Sequence, residues 1–184
     1  MNYLASSGQL RASLLRWSLF TVPLLFVLGF FSTRVAGGGP GDPWFDNLVK
    51  PVFYPPAMAF PIVWGVLYVL MGVSLAMILS ARGAMGRGLA VVAFVIQIAL
   101  NFSWSPVFFG MHLISAAFWV AVAMGVATLI TTVLFWRIRP VAGMLLLPYL
   151  AWICVACALS SEIGRLNPEA DGAFGSSSTV RVEI

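Results

Sequence analysis

The sequence predicts an all-α integral membrane protein: a bundle of five transmembrane helices with a long first loop. Of its 184 residues, 61% are apolar and only 9% are charged, whereas a typical soluble domain has about 25% charged residues. The apolar residues form five stretches, each near the roughly 20 residues that a helix needs to cross a bilayer. The ten basic and six acidic residues lie almost entirely between these stretches and at the chain ends.

This composition excludes several classes of protein. Sixteen charged side chains, the ten basic and six acidic ones, cannot cover the surface of a soluble domain of this length, and a disordered chain needs far more polar residues. The net charge of +4 does not indicate a nucleic-acid partner, because the basic residues stand singly at the ends of apolar stretches and form no patch. The partner that the composition predicts is the lipid bilayer.

The first apolar stretch, residues 14–33, is flanked by arginines and is followed by a long polar segment. It has the layout of a signal peptide, but no small-residue cleavage motif follows it, so we expect a retained helix. Residues 35–56 contain five prolines and four glycines, which break helices, and we expect a long loop without a helix. Aromatic residues should anchor this loop at the membrane interface: Trp44, Phe45, Phe53 and Tyr54.

The rest of the apolar residues form four further stretches. We expect spans at residues 57–81, 89–110, 113–136 and 141–163, so that residues 1–167 form a single transmembrane domain. Residues 168–184 are polar and rich in serine and glycine, and they predict a disordered tail.

Arginine and lysine are distributed unequally between the two ends of the predicted bundle. Six arginines fall on the side of the N-terminus: Arg11, Arg16, Arg82, Arg87, Arg137 and Arg139. Three basic residues lie near the membrane on the other side: Arg34, Lys50 and Arg165. The positive-inside rule therefore places the N-terminus inside and the long loop outside. It does not identify which membrane holds the protein.

Polar and aromatic side chains recur at helical spacing in three of the spans. The stripes are Phe60, Trp64, Tyr68 and Met71; Gln97, Asn101, Trp104 and Phe108; and Tyr149, Trp152, Ala156 and Leu159. If the stripes converge, they form an aromatic-walled cleft for a flat, apolar ligand. The alternative is ordinary packing, in which Gln97 and Asn101 only tie helices together. Spacing alone does not decide between these interpretations.

Small residues recur every four positions in the fourth span, at Ala117, Ala121 and Gly125. Such a ladder allows helices to approach closely, either inside the bundle or at a homodimer interface, and we favour packing inside the bundle.

No group of residues in the sequence predicts catalysis or a metal site. Cys154 and Cys157 lie in an apolar run without an accompanying histidine or second cysteine pair, and we expect two buried thiols rather than a redox site. His112 falls in a turn between spans, where a solvated helix end is the ordinary interpretation and axial haem ligation the alternative. We therefore expect no catalytic residues, no cofactor and no metal.

Several motifs, in order along residues 42–167, together resemble one family. They are Trp44-Phe45-Asp46-Asn47-Leu48, Lys50-Pro51, Pro55-Pro56, Phe60-Pro61, Trp64, Leu67-Tyr68, Asn101, Trp104, Pro106, Phe108-Phe109-Gly110, Leu147-Pro148-Tyr149-Leu150, Trp152 and Asn167. This pattern resembles the translocator protein family, also called TspO/MBR, which includes the bacterial tryptophan-rich sensory proteins and the peripheral benzodiazepine receptor.

The resemblance implies a five-helix bundle, often dimeric, with the first loop over a pocket that binds porphyrins and, in many members, sterols or benzodiazepine-type ligands. It implies that Trp64 and Trp152 handle porphyrin. Further matches to the pocket lining are Asn101, Trp104, Ala156 and Leu159. With Tyr68 and Phe108 from the stripes, these residues are the predicted ligand-binding set. A porphyrin or haem would be a ligand here and not a cofactor.

The sequence departs from the family pattern in ways that favour tetrapyrroles over sterols. Phe53 and Tyr54 stand near the Pro-Pro pair where the family has a tryptophan, and Ser160 stands where many relatives have asparagine. No lysine or arginine follows Tyr149 within five residues, so the proposed cholesterol-recognition pattern is not met.

The resemblance thus implies a membrane receptor or carrier of porphyrin-type tetrapyrroles with a sensory, regulatory or transport role. One alternative is an enzyme that degrades porphyrin in light, with Trp64 and Trp152 quenching or reacting. Another is a non-catalytic scaffold that modulates a partner membrane complex. Nine arginines against one lysine are typical of a GC-rich bacterial source.

Overall fold

The computed structural model describes residues 7–172, and these residues form a bundle of helices without a strand. Five segments of it are long and apolar enough to cross a membrane, as the sequence predicted. The long helices are α1 (Ser7–Ala36), α3 (Ala59–Ser80), α4 (Arg87–Ser105), α5 (Ile114–Ile138) and α7 (Leu147–Leu166). Short helices are α2 (Pro43–Asn47) in the long loop and α6 (Pro140–Met144) before α7.

Proline residues explain where two spans depart from a regular α-helix. Pro106 ends α4 and begins a π-helical turn, Pro106–Gly110, in which the N–H of Met111 donates to the carbonyl of Pro106 at 2.9 Å. Pro148 has no N–H for the carbonyl four residues before it, and the fifth span is interrupted at residues 145–146, between α6 and α7. The predicted span at 141–163 is therefore two helices in sequence.

The first transmembrane helix packs closely against α3 and α4. An ideal Cβ built on Gly72 would lie 2.6 Å from Cγ2 and 2.8 Å from Cα of Val22, so only glycine allows this approach of α3 to α1. The hydroxyl of Thr21 donates to the carbonyl of Gly72 at 2.7 Å, and the hydroxyl of Ser32 donates to the carbonyl of Phe102 at 2.6 Å. Such bonds hold helices together where no water competes.

The ladder of small residues in α5 faces the interior of the bundle. Ala117 and Ala121 are fully buried, and a Cβ on Gly125 would lie 3.4 Å from Cγ2 of Ile153 in α7. The ladder therefore serves packing within the bundle, the interpretation that the sequence favoured, and a homodimer would need another surface.

The loop between α1 and α3 contains a helix that the sequence did not predict. The Asp42 carboxylate caps α2, accepting from the backbone N–H of Trp44 at 2.9 Å and of Phe45 at 3.1 Å. Pro43 occupies the first turn of α2, where its missing N–H costs nothing and its fixed φ favours the helix. The prolines counted as helix breakers thus include one that starts a helix.

The beginning of the predicted disordered tail is ordered. Residues Pro168–Ala170 form a 3-10 turn, and the N–H of Gly172 donates to the carbonyl of His112 at 2.8 Å. The Asp171 carboxylate accepts from the N–H of Ile114 at 2.6 Å and so caps α5. The prediction is wrong for residues 168–172, because it read polar composition and could not show these partners. Residues 173–184 lie outside the described residues.

We expect Gly72→Ala to destabilise the bundle, because its methyl group would overlap the backbone of Val22. Overpacking of this kind costs about 1–3 kcal/mol, which should appear as a lower thermal midpoint in detergent. Gly88→Ala is the matched control, since a Cβ there meets no atom within 4 Å. Equal midpoints for the two variants would contradict this account of the α1–α3 contact.

Candidate functional site

A cavity of about 670 Å³ lies at the end of the bundle where the long loop crosses it. This volume falls within the roughly 300–1,000 Å³ of small-molecule sites. All eight residues of the predicted set line the cavity: Trp64, Tyr68, Asn101, Trp104, Phe108, Trp152, Ala156 and Leu159. The structure therefore brings the three stripes together. That these residues bind a ligand stays a prediction.

Eleven of the 28 residues that line the cavity are aromatic, and their rings contact one another. Trp64 of α3 lies 5.4 Å from Tyr68 between ring centroids and 6.3 Å from Tyr149 of α7. Phe60 meets Trp152 edge to face at 5.9 Å. On the α4 side, Trp104 and Phe108 stack at 5.0 Å with an angle of 11° between their planes. The rings hold one another in place and present an apolar surface to the cavity.

Asn101 supplies a polar group in this apolar wall. Its amide N–H donates to the hydroxyl of Tyr149 at 2.9 Å and lies 3.6 Å from the sulfur of Met124. Asn101 thus links α4 to α5 and α7 and also lines the cavity. The packing interpretation and the cavity interpretation of its stripe are therefore both correct for this residue. The indole N–H of Trp104 is buried without an acceptor among residues 7–172.

Gln97 shares the helical stripe of Asn101 but does not line the cavity. It is fully buried, and its carbonyl oxygen accepts from the hydroxyl of Thr128 in α5 at 3.4 Å. Its role is to link helices, which is the packing interpretation of the stripe.

The loop of residues 37–56 closes the cavity as a lid. Phe45 and Leu48 are buried, and Phe45 meets Phe109 at 5.3 Å. Trp44 stacks on His112 at 4.2 Å. The ammonium of Lys50 donates to the carbonyl of Phe45 at 2.9 Å, which holds the loop in a compact fold.

The predicted anchoring of this loop at the membrane interface is wrong for three of its four aromatic residues. Trp44, Phe45 and Tyr54 pack on the bundle, and only Phe53 is exposed. Tyr54 also lines the cavity, and its partial burial raises the pKa of the phenol above its usual value. The composition of the loop shows that its aromatic residues need an apolar partner, but it does not show whether that partner is the membrane or the end of the bundle.

The segment after α7 fastens the lid. The side-chain amide of Asn167 pairs with the backbone of Val49 in both directions: its oxygen accepts from the N–H at 2.8 Å, and its nitrogen donates to the carbonyl at 2.9 Å. The indole N–H of Trp44 donates to the carbonyl of Ala170 at 3.1 Å. We call residues 167–172 the strap.

The other residues considered for chemistry do not contribute to the cavity. His112 has a positive φ of 54° and supports the lid through its stacking on Trp44, but it does not line the cavity. Cys157 is half-buried and Cys154 is exposed on the outer face of α7, so the prediction of two buried thiols is wrong for Cys154. Within the described residues, no three acidic, histidine or cysteine side chains could together hold a metal.

Sequence reasoning missed the contribution of α1. Phe26, Phe30 and Thr33 line the cavity and follow the same spacing of i, i+4 and i+7 as the recognised stripes. This spacing was present in the sequence, but the tryptophan of α1, Trp17, lies outside the stretch that lines the cavity, so this stretch lacks the tryptophan that marks the other walls. Gly38, Gly39 and Pro40 of the lid also line the cavity.

Comparison with known proteins gives a consistent result. The profile of the TspO/MBR family matches residues 20–166. The tryptophan-rich sensory protein of Cereibacter sphaeroides is 37% identical over 157 residues, covering 84% of this chain and 96% of that protein. Protein CrtK of Rhodobacter capsulatus is 38% identical over 152 residues, covering 78% and 93%. The translocator protein of Homo sapiens is 33% identical over 131 residues, covering 70% and 78%.

We expect Asn167→Ala to loosen the lid, because it removes both hydrogen bonds to Val49. Each such bond contributes about 0.5–1.5 kcal/mol, so the amide hydrogen of Val49 should exchange with solvent about tenfold faster, the factor that 1.4 kcal/mol represents. Hydrogen exchange followed by mass spectrometry measures this. Asn47→Ala, at an exposed position of the same loop, is the control. Unchanged exchange at Val49 would show that the strap does not hold the lid.

Proposed function

This chain belongs to the TspO/MBR family and is an integral membrane protein, and from that premise we propose that it is a receptor or carrier of porphyrin-type tetrapyrroles. The observation that carries the proposal is the cavity of about 670 Å³ under the lid, into which all eight predicted residues project. The names of its relatives, sensory protein and translocator protein, agree with a sensory or transport role.

The shape and chemistry of the cavity support a flat, rigid, mostly apolar ligand. Trp64, Trp104 and Trp152 reach it from three different helices, so a planar ring system can contact an indole on several sides. Aromatic pairs add about 0.5–1.5 kcal/mol each beyond the burial of their area. The polar side chains in the wall are few and mostly hydroxyls, with Asn101 the one amide among the lining residues described, which suits a ligand with few polar atoms in its ring.

One cation at the rim favours a ligand that carries carboxylates. The guanidinium of Arg34 lies 4.8 Å from the ring centroid of Phe30, and both Phe30 and the adjacent Thr33 line the cavity. At this end of the bundle Lys50 donates to backbone carbonyls, and Arg165 pairs with Glu162 at 2.6 Å. Arg34 does not itself line the cavity, but it is next to residues that do, so we propose it as the partner of the propionate groups of a porphyrin, which a sterol lacks.

We expect each of Trp64→Phe, Trp104→Phe and Trp152→Phe to weaken binding of protoporphyrin IX about 3- to 10-fold, since about 1.4 kcal/mol corresponds to tenfold. The measurement is a titration of purified protein in the dark, followed by quenching of tryptophan fluorescence and by porphyrin absorbance. Unchanged affinity in all three variants would make the pocket assignment wrong.

The same samples separate binding from the alternative, light-dependent degradation, for which the shared position of Trp64 and Trp152 on the cavity wall is the supporting observation. Illumination with oxygen should yield a bilin-like absorbance if the protein degrades porphyrin. Equal yield from the Trp64→Phe, Trp152→Phe double variant would remove the enzymatic role of these residues.

We expect the wild-type protein to bind protoporphyrin IX about 2- to 5-fold more tightly than its dimethyl ester, the factor that an exposed ion pair of up to about 1 kcal/mol supplies. Arg34→Gln should abolish this preference, and added salt should reduce it in the wild type. Arg165→Gln, which removes a cation already paired with Glu162, is the control. A preference that survives in Arg34→Gln would rule out Arg34 as the carboxylate partner.

A further inference from the structure

Gly65 lies inside α3 (Ala59–Ser80), as the seventh residue of the helix. Glycine in a helix interior is destabilising relative to alanine, because it loses more conformational freedom on folding. A glycine at such a position therefore needs a reason in the folded structure. Several other glycines in the spans have such a reason, a close contact with a neighbouring helix.

Close contacts explain several of those glycines. A Cβ on Gly29 would lie 2.5 Å from the ring of Tyr68, and one on Gly143 would lie 2.9 Å from Cβ of Trp136. Gly72 meets the backbone of Val22, as described above. A side chain at Gly72 or Gly143 would meet the neighbouring helix at its backbone, and one at Gly29 would displace the Tyr68 ring, so close packing accounts for each of these glycines.

Gly65 has no such explanation. An ideal Cβ on its backbone meets no heavy atom within 4 Å, and its φ is not among the positive values of the chain. Neither a close helix contact nor a special backbone conformation requires glycine here. Gly65 does, however, line the cavity, next to Trp64 and one turn from Pro61 and Tyr68.

We propose that Gly65 is a specificity-determining residue whose bare backbone gives the clearance for the flat ring of the ligand to lie against α3. This inference rests on the proposed function and adds a residue that sets the size of ligand that fits. Pro61, one turn earlier on the same helix, also lines the cavity and has a compact side chain. The helix surface beside the Trp64 ring therefore carries little side-chain volume. A branched side chain at residue 65 would occupy that space.

The test compares Gly65→Leu with Gly88→Leu in the titration with protoporphyrin IX. Both glycines lie in helices, and a Cβ on either meets no atom within 4 Å, but Gly88 does not line this cavity. We expect Gly65→Leu to weaken binding at least tenfold without lowering the thermal midpoint, and Gly88→Leu to bind as the wild type does.

Gly65→Ala separates clearance from a structural role. We expect its thermal midpoint to rise, because alanine favours the helix and meets no clash, while its affinity falls less than that of Gly65→Leu. A lowered midpoint, as expected for Gly72→Ala, would show that Gly65 serves packing. Wild-type affinity in a folded Gly65→Leu variant would overturn this inference alone, whereas a wild-type protein that does not bind protoporphyrin IX would overturn the proposed function as well.

Discussion

The carbonyl oxygen of Phe102 lacks its regular α-helical donor, because Pro106, four residues later, has no N–H to donate. In a membrane an unsatisfied backbone group is costly, and the hydroxyl of Ser32 in α1 supplies the missing bond at 2.6 Å. This interaction holds α1 against α4 at the level of the cavity. After this point α4 is followed by the wider π-helical turn Pro106–Gly110. The geometry of this turn determines where Phe108 and Phe109, which support the lid, point.

The lid depends on that turn. Phe108 is buried among Phe45, Leu48 and Ile114, so the apolar underside of the loop rests on a surface that the widened turn presents. Polar bonds to the strap then fix the loop from above, through Asn167. The apolar contacts supply most of the burial, whereas the exposed hydrogen bonds set the register of the loop. An opening lid must therefore expose Phe45 and Leu48 as well as break the bonds to the strap.

Sequence reasoning recovered the features that depend on one helix at a time. Apolar length predicts each span, and a period of 3.6 residues places Trp64 with Tyr68 and Asn101 with Trp104 on the faces that line the cavity. It failed where a choice between partners decides the structure. Apolar residues such as Phe45 can face lipid or protein, and the polar Asp171 can face water or cap α5. The amino-acid composition is the same whichever partner such a residue has, so the partner can be identified only in the assembled bundle.

The position of the cavity determines how large a structural change each proposed role, carrier or receptor, would require. The half of the bundle away from the lid is filled by fully buried side chains, among them Phe94 and Phe135, whose rings stack at 5.8 Å. The hydroxyl of Ser74 bonds the carbonyl of Ala142 in the same half, at 2.7 Å. A carrier would have to separate these groups to pass a ligand through the bundle. A receptor requires only that the lid release Phe45 and Leu48 and close again, which makes sensing the role with the smaller structural change.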